Sequence, residues 1–253
     1  MHKVIDDILA ATRRRVADLH AADIDVPKKI EHRDIIPLIR LRKCENRIPV
    51  IAEVKPGSPT TDKREITPDD AARIAQEMEA AGAVTISVLT EPAFFGGSME
   101  NLSAVRSAVS IPVLRKDFII DEKQMYETES DLILLIAGIL GNDLERFVDL
   151  ALMCGIEPLV EVHNETELTD ALDTEARIIG VNNRNLNTLT VDLSTSEHLV
   201  PLVPDDRIVI SESGTRGPAD AVRVIHAGAD AILVGTAVMD APFDKTLELV
   251  DAL

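Results

Sequence analysis

From about residue 48 onward, short apolar runs rich in β-branched residues alternate with longer stretches in which apolar residues recur at helical spacing. The short runs predict eight strands, over 49–55, 84–89, 112–115, 132–137, 158–162, 178–182, 208–211 and 231–234. The stretches between predict helices near 68–81, 98–108, 121–129, 142–154, 165–173, 193–199, 217–227 and 243–252. Strict strand-then-helix order calls for parallel strands joined by right-handed crossovers. Eight units match closure into an α/β fold of the (β/α)8 TIM-barrel type, an eight-stranded parallel barrel. An open doubly wound sheet alternates in the same way and is the structural alternative.

Local signals support this register. Thr67-Pro68-Asp69-Asp70 reads as an N-cap, a first-turn proline and first-turn acids, and Ala227-Gly228-Ala229-Asp230 reads as a helix stop. The sixth helix is the weakest unit, short and bounded by Pro201 and Pro204. Ahead of the barrel, residues 2–20 carry Val4, Ile5, Ile8, Leu9 and Val16 at helical spacing, and 34–43 predict a second short helix. The reading is one TIM-barrel domain over 1–253, with an N-terminal helical extension (1–47) and the barrel proper (48–253). Such an extension must cover an apolar surface, either a barrel end or a partner subunit.

Composition narrows the picture. Hydrophobic residues make up 45% of the 253, but aromatics only 2% and Trp none, so the core is built from Ile, Val, Leu and Ala. That suits parallel strands covered on both faces. A net charge of -18 argues against nucleic acid as a partner, and the one basic run, Arg13 to Arg15, reads as a solvated helix face. An acidic surface still permits an anionic small-molecule substrate, because a few inward-facing cations dominate the field inside a cleft. Cys44 and Cys154 are far apart and in no metal-like spacing, so neither a disulfide framework nor a zinc site is indicated, and reduced thiols of a cytoplasmic protein are expected. With no apolar leader before a cleavage site and no run of about 18 apolar residues, neither secretion nor a membrane partner is expected.

Several strand ends carry chemistry. The first reads Ile51-Ala52-Glu53-Val54-Lys55-Pro56-Gly57-Ser58-Pro59, and period-two geometry puts Glu53 and Lys55 on one face. If that face is the interior, both reach the mouth where active sites of this fold are built. A structural ion pair is the plainer account. The third strand ends Arg115-Lys116-Asp117-Phe118, where alternation lets only one of the two cations face inward. The fifth plants Glu161 in an apolar run before His163, which reads as a strand-end or cap residue without a visible partner. The sixth runs into Asn182-Asn183-Arg184, whose parity points Asn182 and Arg184 the same way. The seventh and eighth give Glu212-Ser213-Gly214 and Gly235-Thr236. Glycines, hydroxyls and a short helix starting after Gly235 would suit a phosphate, which in this fold sits after strands seven and eight. Turn-making alone is the competing reading of these glycines.

These segments, together with Ser87-Val88-Leu89-Thr90-Glu91 and Phe94-Phe95-Gly96-Gly97-Ser98, resemble in order the signature set of the indole-3-glycerol-phosphate synthase family over residues 48–240. The resemblance implies a sugar-phosphate substrate, 1-(2-carboxyphenylamino)-1-deoxyribulose 5-phosphate, whose ring closes with loss of carbon dioxide and water in tryptophan biosynthesis. It implies no cofactor. It assigns Lys116 as general acid at the ketone and Glu161 as proton acceptor or donor in later steps. Lys55 and Ser58 would meet the aromatic carboxylate. Glu53, Asn182, Arg184 and Glu212 would shape the polar network, and Ser213, Gly214, Gly235 and Thr236 would hold phosphate.

Physical chemistry is compatible with these roles: attack on the ketone develops negative charge on oxygen, which a cation both stabilises and can protonate. Lysine is expected to serve through a pKa drawn toward neutrality by burial or neighbouring cations. Phe94, Phe95 and Phe118 suggest an apolar seat for the aniline ring, with Leu135 and Leu189 as additions, although loop anchoring would also explain them. Three departures from the family pattern stand out, one being that the N-terminal 47 residues match the family's size and pattern only loosely. Thr236 replaces the commoner serine, and 126–132 lacks an Ala-Gly-Ala turn, so the third helix is expected to be short. A monomer is expected, with a homodimer as alternative. The rival functions are an aldose–ketose isomerase on a related phosphate-binding barrel, and a non-catalytic sugar-phosphate binder.

Overall fold

The computed structural model describes residues 2–19, 32–58, 63–127 and 130–253; Pro59, quoted in the first motif, lies outside them. Eight strands form one closed parallel barrel: β1 (Val50–Val54), β2 (Thr85–Leu89), β3 (Val113–Lys116), β4 (Leu132–Ile136), β5 (Glu157–Val162), β6 (Ile178–Asn182), β7 (Ile208–Glu212) and β8 (Ala231–Val234). Each pairs with the next, and β8 returns to β1. The helices in chain order are α1 (Lys3–Ala17), α2 (Ile35–Cys44), α3 (Pro68–Ala80), α4 (Pro92–Phe95), α5 (Met99–Ala108), α6 (Ala137–Leu140), α7 (Leu144–Met153), α8 (Glu165–Leu172), α9 (Ser194–Leu199), α10 (Pro218–His226) and α11 (Pro242–Val250). Among the described residues, no helix is long and apolar enough to cross a membrane.

The alternation of side chains sorts each strand into two environments. Ile51, Leu114, Leu132, Leu134, Leu159, Ile178, Ile210 and Ala231 fill the barrel interior, while Val50, Ala52, Ile86, Val160, Ile179 and Val209 pack under the helices. Both faces are therefore apolar, as the strand composition requires. Thr67 caps α3 by accepting from the Asp70 amide at 3.2 Å, and Gly228 takes a positive φ of 109° after α10. Each closes a helix end where the sequence pattern expected it.

The N-terminal extension covers both ends of the barrel. Ile35, Ile36 and Ile39 of α2 join the interior apolar cluster beside Val84, and Arg42 donates to the carbonyl of Gly82, which lies just ahead of β2. Those contacts identify the bottom. Ile5, Ile8 and Leu9 of α1 share the same cluster with Phe94, Phe118 and Leu186, and the His2 amide donates to the Leu186 carbonyl at 3.2 Å. These partners follow β2, β3 and β6, so α1 lies across the top. The extension thus acts within the chain, on the first of the two surfaces expected for it.

Four expectations are corrected. Of the region 121–129, the described residues 121–127 form no α-helix but a 3-10 turn over Glu122–Tyr126, consistent with the missing Ala-Gly-Ala segment. Residues 236–240 after Gly235 form turns rather than a helix. The short helices α4 and α6 occur where none was expected. Arg15 is not a solvated residue: its guanidinium reaches the buried Asp117 at 2.8 Å.

Candidate active site

A layer of charge lies on top of the apolar plug. Glu53, Glu161 and Glu212 are at most 2% exposed and project from β1, β5 and β7, on the same inward parity as the aliphatic residues beneath them. Lys55 Nζ lies 3.3 Å from Glu53, and Lys116 Nζ lies 3.4 Å from Glu212 and 3.8 Å from Glu53. Charges removed from water this far are tolerated only when paired. Two glycines make room for them. A Cβ at Gly180 would come within 2.2 Å of Glu212 Oε1, and one at Gly235 within 2.3 Å of Glu53 Oε1.

Residue parity decides which cation of β3 reaches this layer. Arg115 turns outward, fully buried, and donates to Asp117, Glu127 and the Gln124 carbonyl. Asp117 collects Arg15 at 2.8 Å, Arg115 at 3.0 Å, the Thr90 hydroxyl at 2.9 Å and the Phe118 amide at 2.8 Å. Burial raises the Asp117 carboxyl, but Arg115 and Arg15 outweigh it and hold it below the usual range. Four donors on one carboxylate fix the backbone on either side of it, and so aim Lys116 inward.

Electrostatics differ among the three inward carboxylates. Burial pushes the Glu53 carboxyl up, yet Lys55 and Lys116 hold it below its ordinary value. Burial likewise opposes ionisation of Glu161, but His163, Lys116 and Asn182 together bring it down to about 2. Glu212 is pushed up to about 8, by burial first, against the pull of Lys116, and then by Glu161 and Glu53. Burial would lower Lys116, but Glu212, Glu53 and Glu161 carry it above its ordinary value. The expected drift of this lysine toward neutrality is therefore reversed, because its neighbours are anions rather than cations.

The apolar side of the mouth assembles as expected, with one exception. Phe95 and Phe118 have ring centroids 6.1 Å apart, and Phe94, Phe95 and Leu189 pack on the interior cluster. Leu189 takes a left-handed φ of 61°, held by its amide on the Asn185 carbonyl, while its own carbonyl accepts from Arg184 at 3.0 Å. Leu135 does not belong here. It lies on the outer face of β4 under the helices, whereas Leu134 and Ile136 face inward.

Asn182 accepts the Arg184 amide at 2.9 Å and helps to hold Glu161 below its ordinary value, which ties the end of β6 to the charged layer. Ser213 and Gly214 both have positive φ, 63° and 93°, an uncommon pair with a serine in the left-handed region. Asn183 holds this turn through the carbonyls of Glu212 and Ser213, each at 3.0 Å. Ser213, Gly214 and Gly235 are half-buried and Thr236 is exposed, at the ends of the adjacent strands β7 and β8. Ser58, half-buried, follows Lys55 beyond the end of β1.

The family model for indole-3-glycerol phosphate synthase matches residues 2–249. This chain belongs to that family. A relative of that description from Halobacterium salinarum is 45% identical over 252 residues, covering 98% of this chain and 96% of the relative. One from Kineococcus radiotolerans is 46% identical, covering 92% and 88%. Solved structures agree on the fold alone. An N-acetylmannosamine-6-phosphate 2-epimerase from Clostridium perfringens matches with TM-score 0.63 at 14% identity, over 84% of this chain and 93% of that one. A (S)-3-O-geranylgeranylglyceryl phosphate synthase from Thermoplasma acidophilum gives 0.60 at 18%, over 88% and 98%.

In this indole-3-glycerol phosphate synthase family member, sequence reasoning gave no role to three groups that shape the site, two of them buried and Glu167 half-buried. Glu91, 2% exposed, caps α4 by accepting the amides of Ala93, Phe94 and Phe95, and so orients the aromatic pair. Its signal was the acid ahead of Pro92. Ser87, inward on β2, reaches Glu53 at 3.5 Å. Glu167 contacts His163, and its signal was Asn164-x-x-Glu167, a helix-start pattern.

Proposed function

We propose that this chain performs its family's reaction, closing 1-(2-carboxyphenylamino)-1-deoxyribulose 5-phosphate to indole-3-glycerol phosphate with loss of carbon dioxide and water. The observation that carries the assignment of roles is the convergence at one barrel mouth of Lys116, held by Glu212 and Glu53, with Lys55 and Glu161. In this reading the Lys116 ammonium stabilises the oxyanion that develops as the ring carbon attacks the ketone, and delivers a proton to it. Glu161, an anion, takes a proton as aromaticity is restored. Lys55 and Ser58 hold the substrate carboxylate. Phe94, Phe95, Phe118 and Leu189 seat the ring.

The turns at Ser213-Gly214 and Gly235-Thr236 take the phosphate at the other end. Without a helix after Gly235, the attraction there rests on backbone amides and hydroxyls rather than on a helix dipole. Two anion sites on opposite sides stretch the substrate so that ketone and ring carbon meet. We likewise infer a monomer working in the cytoplasm on a free small molecule, supported by the net charge of -18 and two free cysteines.

Incubating the protein with the substrate and following indole fluorescence tests the reaction. Lys116→Met is expected to abolish turnover while leaving substrate binding largely intact, and Glu161→Gln to lower kcat by roughly 100- to 10,000-fold, the range of general acid–base catalysis. Parent-like turnover in either variant removes that residue's role.

A further inference from the structure

His163 stands at the end of β5, two residues beyond Glu161, and is buried between two carboxylates. Its Nε2 lies 3.2 Å from Oε1 of Glu161, and its Nδ1 lies 2.9 Å from Oε2 of Glu167 on α8. Glu167 is itself held: it accepts the His163 amide at 2.9 Å and the Asn164 side-chain amide at 2.7 Å, while its own amide donates to Asn164 at 3.0 Å. The Nδ1 contact is a hydrogen bond, whereas the Nε2 contact is an ion-pair approach without hydrogen-bond geometry, and a carboxylate on each side of one imidazole favours the charged ring by electrostatics. On its other side Glu161 faces a second acid. Glu212 leans across Gly180, which pairs directly with Glu161 in the sheet.

Two buried carboxyls on either side of one glycine in a dry layer do not both ionise readily. Which of them keeps the proton is set by what else each touches. Glu161 has the His163 ring, Asn182 and the field of Lys116, whereas Glu212 has Lys116 and an Oε1 with no hydrogen-bond partner. We propose that His163, clasped by Glu167, is a positioning residue that makes Glu161 the carboxylate of this acid pair and leaves the shared proton with Glu212. The direction of both groups agrees, Glu161 lying at about 2 and Glu212 at about 8, with the His163 ring pushed up to about 10 against the effect of burial. The titratable and charged groups around the pair are thus Lys116 from β3, Glu53 from β1, Glu167 from α8 and His163 itself. The other residues beside the ring, Gly138, Asn164, Asn185, Leu186 and Asn187, carry no charge.

The clasp rests on the proposed function in one respect, that Glu161 accepts a proton in the reaction.

Two measurements test it. In the unaltered protein, ¹⁵N NMR of the imidazoles should find both ring nitrogens of His163 protonated at pH 8; a neutral ring there overturns the proposal and needs no variant to fold. In His163→Asn, kcat should fall by up to about 100-fold with KM nearly unchanged, the cost of a misplaced group. The acid limb of its kcat profile should move up by about 1–3 pH units as Glu161 loses its countercharge. Glu167→Gln should move the same limb by less. A limb in His163→Asn that superimposes on the parent's, or a change confined to KM, overturns the clasp. Failure of the parent to form indole-3-glycerol phosphate, or full activity in Glu161→Gln, would instead remove the function reading and leave the NMR result standing.

Discussion

Gly180→Ala probes how much the charged layer depends on space alone. The added methyl would lie 2.2 Å from Oε1 of Glu212 and 3.2 Å from Leu159 Cδ1. Ordinary contact is roughly 3.5 Å, so about 1 Å must be found. The strand cannot supply it, because β6 is paired to β5 and β7 on either side. The Glu212 carboxyl group must therefore retreat, which opens its 3.4 Å contact with Lys116.

Overpacking costs about 1–3 kcal/mol, and replacing a strand glycine returns up to about 1 kcal/mol. A net loss of about 1–2 kcal/mol corresponds to a fall in Tm of about 2–8 °C for a chain of this size. Catalysis should suffer more, since a shift of about 1 Å in a reacting constellation can cost about 100-fold in kcat. A thermal melt by circular dichroism and the indole-fluorescence assay read the two effects separately. A Tm at or above the parent's, with kcat within about twofold of it, would show that the carboxylate has room to spare and would refute the steric argument.

Arg15→Met removes one of four donors from buried Asp117 and releases α1 from the top of β3. The expected loss is about 1–3 kcal/mol, seen as a lower Tm, together with a raised KM as the cover over the mouth loosens; an unchanged melt would show that the pair contributes nothing. Glu91→Gln weakens the cap that three amides share, so about 1 kcal/mol of stability and a tight aromatic seat should go together, checked by Tm and KM. Glu212 has a folded-state value raised to about 8, so its protonated form stabilises the fold fully below about 4.5, and that contribution is lost as pH rises through 8. Glu212→Gln cannot ionise and should lose less Tm than the parent between pH 6 and 9, as parallel melts would show; equal losses would place the ionisation elsewhere.

The barrel was legible because a parallel strand buried on both faces is a continuous apolar run, and eight such runs separated by helical spacing admit few closures. Parity did the rest wherever a polar residue marked a face, as with Glu53 and Lys55 or Arg115 and Lys116. Where no polar residue stands, the faces are unlabelled. β4 reads Leu-Ile-Leu-Leu-Ile, and only its register with β3 and β5 reveals that Leu135 turns outward. Arg15 and His163 were misjudged for a different reason. Their partners, Asp117 and Glu167, act through tertiary or capping contacts that periodicity does not encode. The lysine's direction of shift failed likewise, since it depends on three acids from strands far apart in sequence.

The shared charged layer has an evolutionary consequence. Lys116, Glu53, Glu161 and Glu212 set one another's ionisation, with Lys55 as a countercharge to Glu53, so a replacement at one position alters the selective value of every residue at the others. Substitutions here are epistatic by electrostatics: losing Lys55 strips Glu53 of a countercharge and shifts the load onto Lys116. Descent through this part of the molecule is therefore expected to run through compensated pairs, while the aliphatic plug beneath drifts one residue at a time.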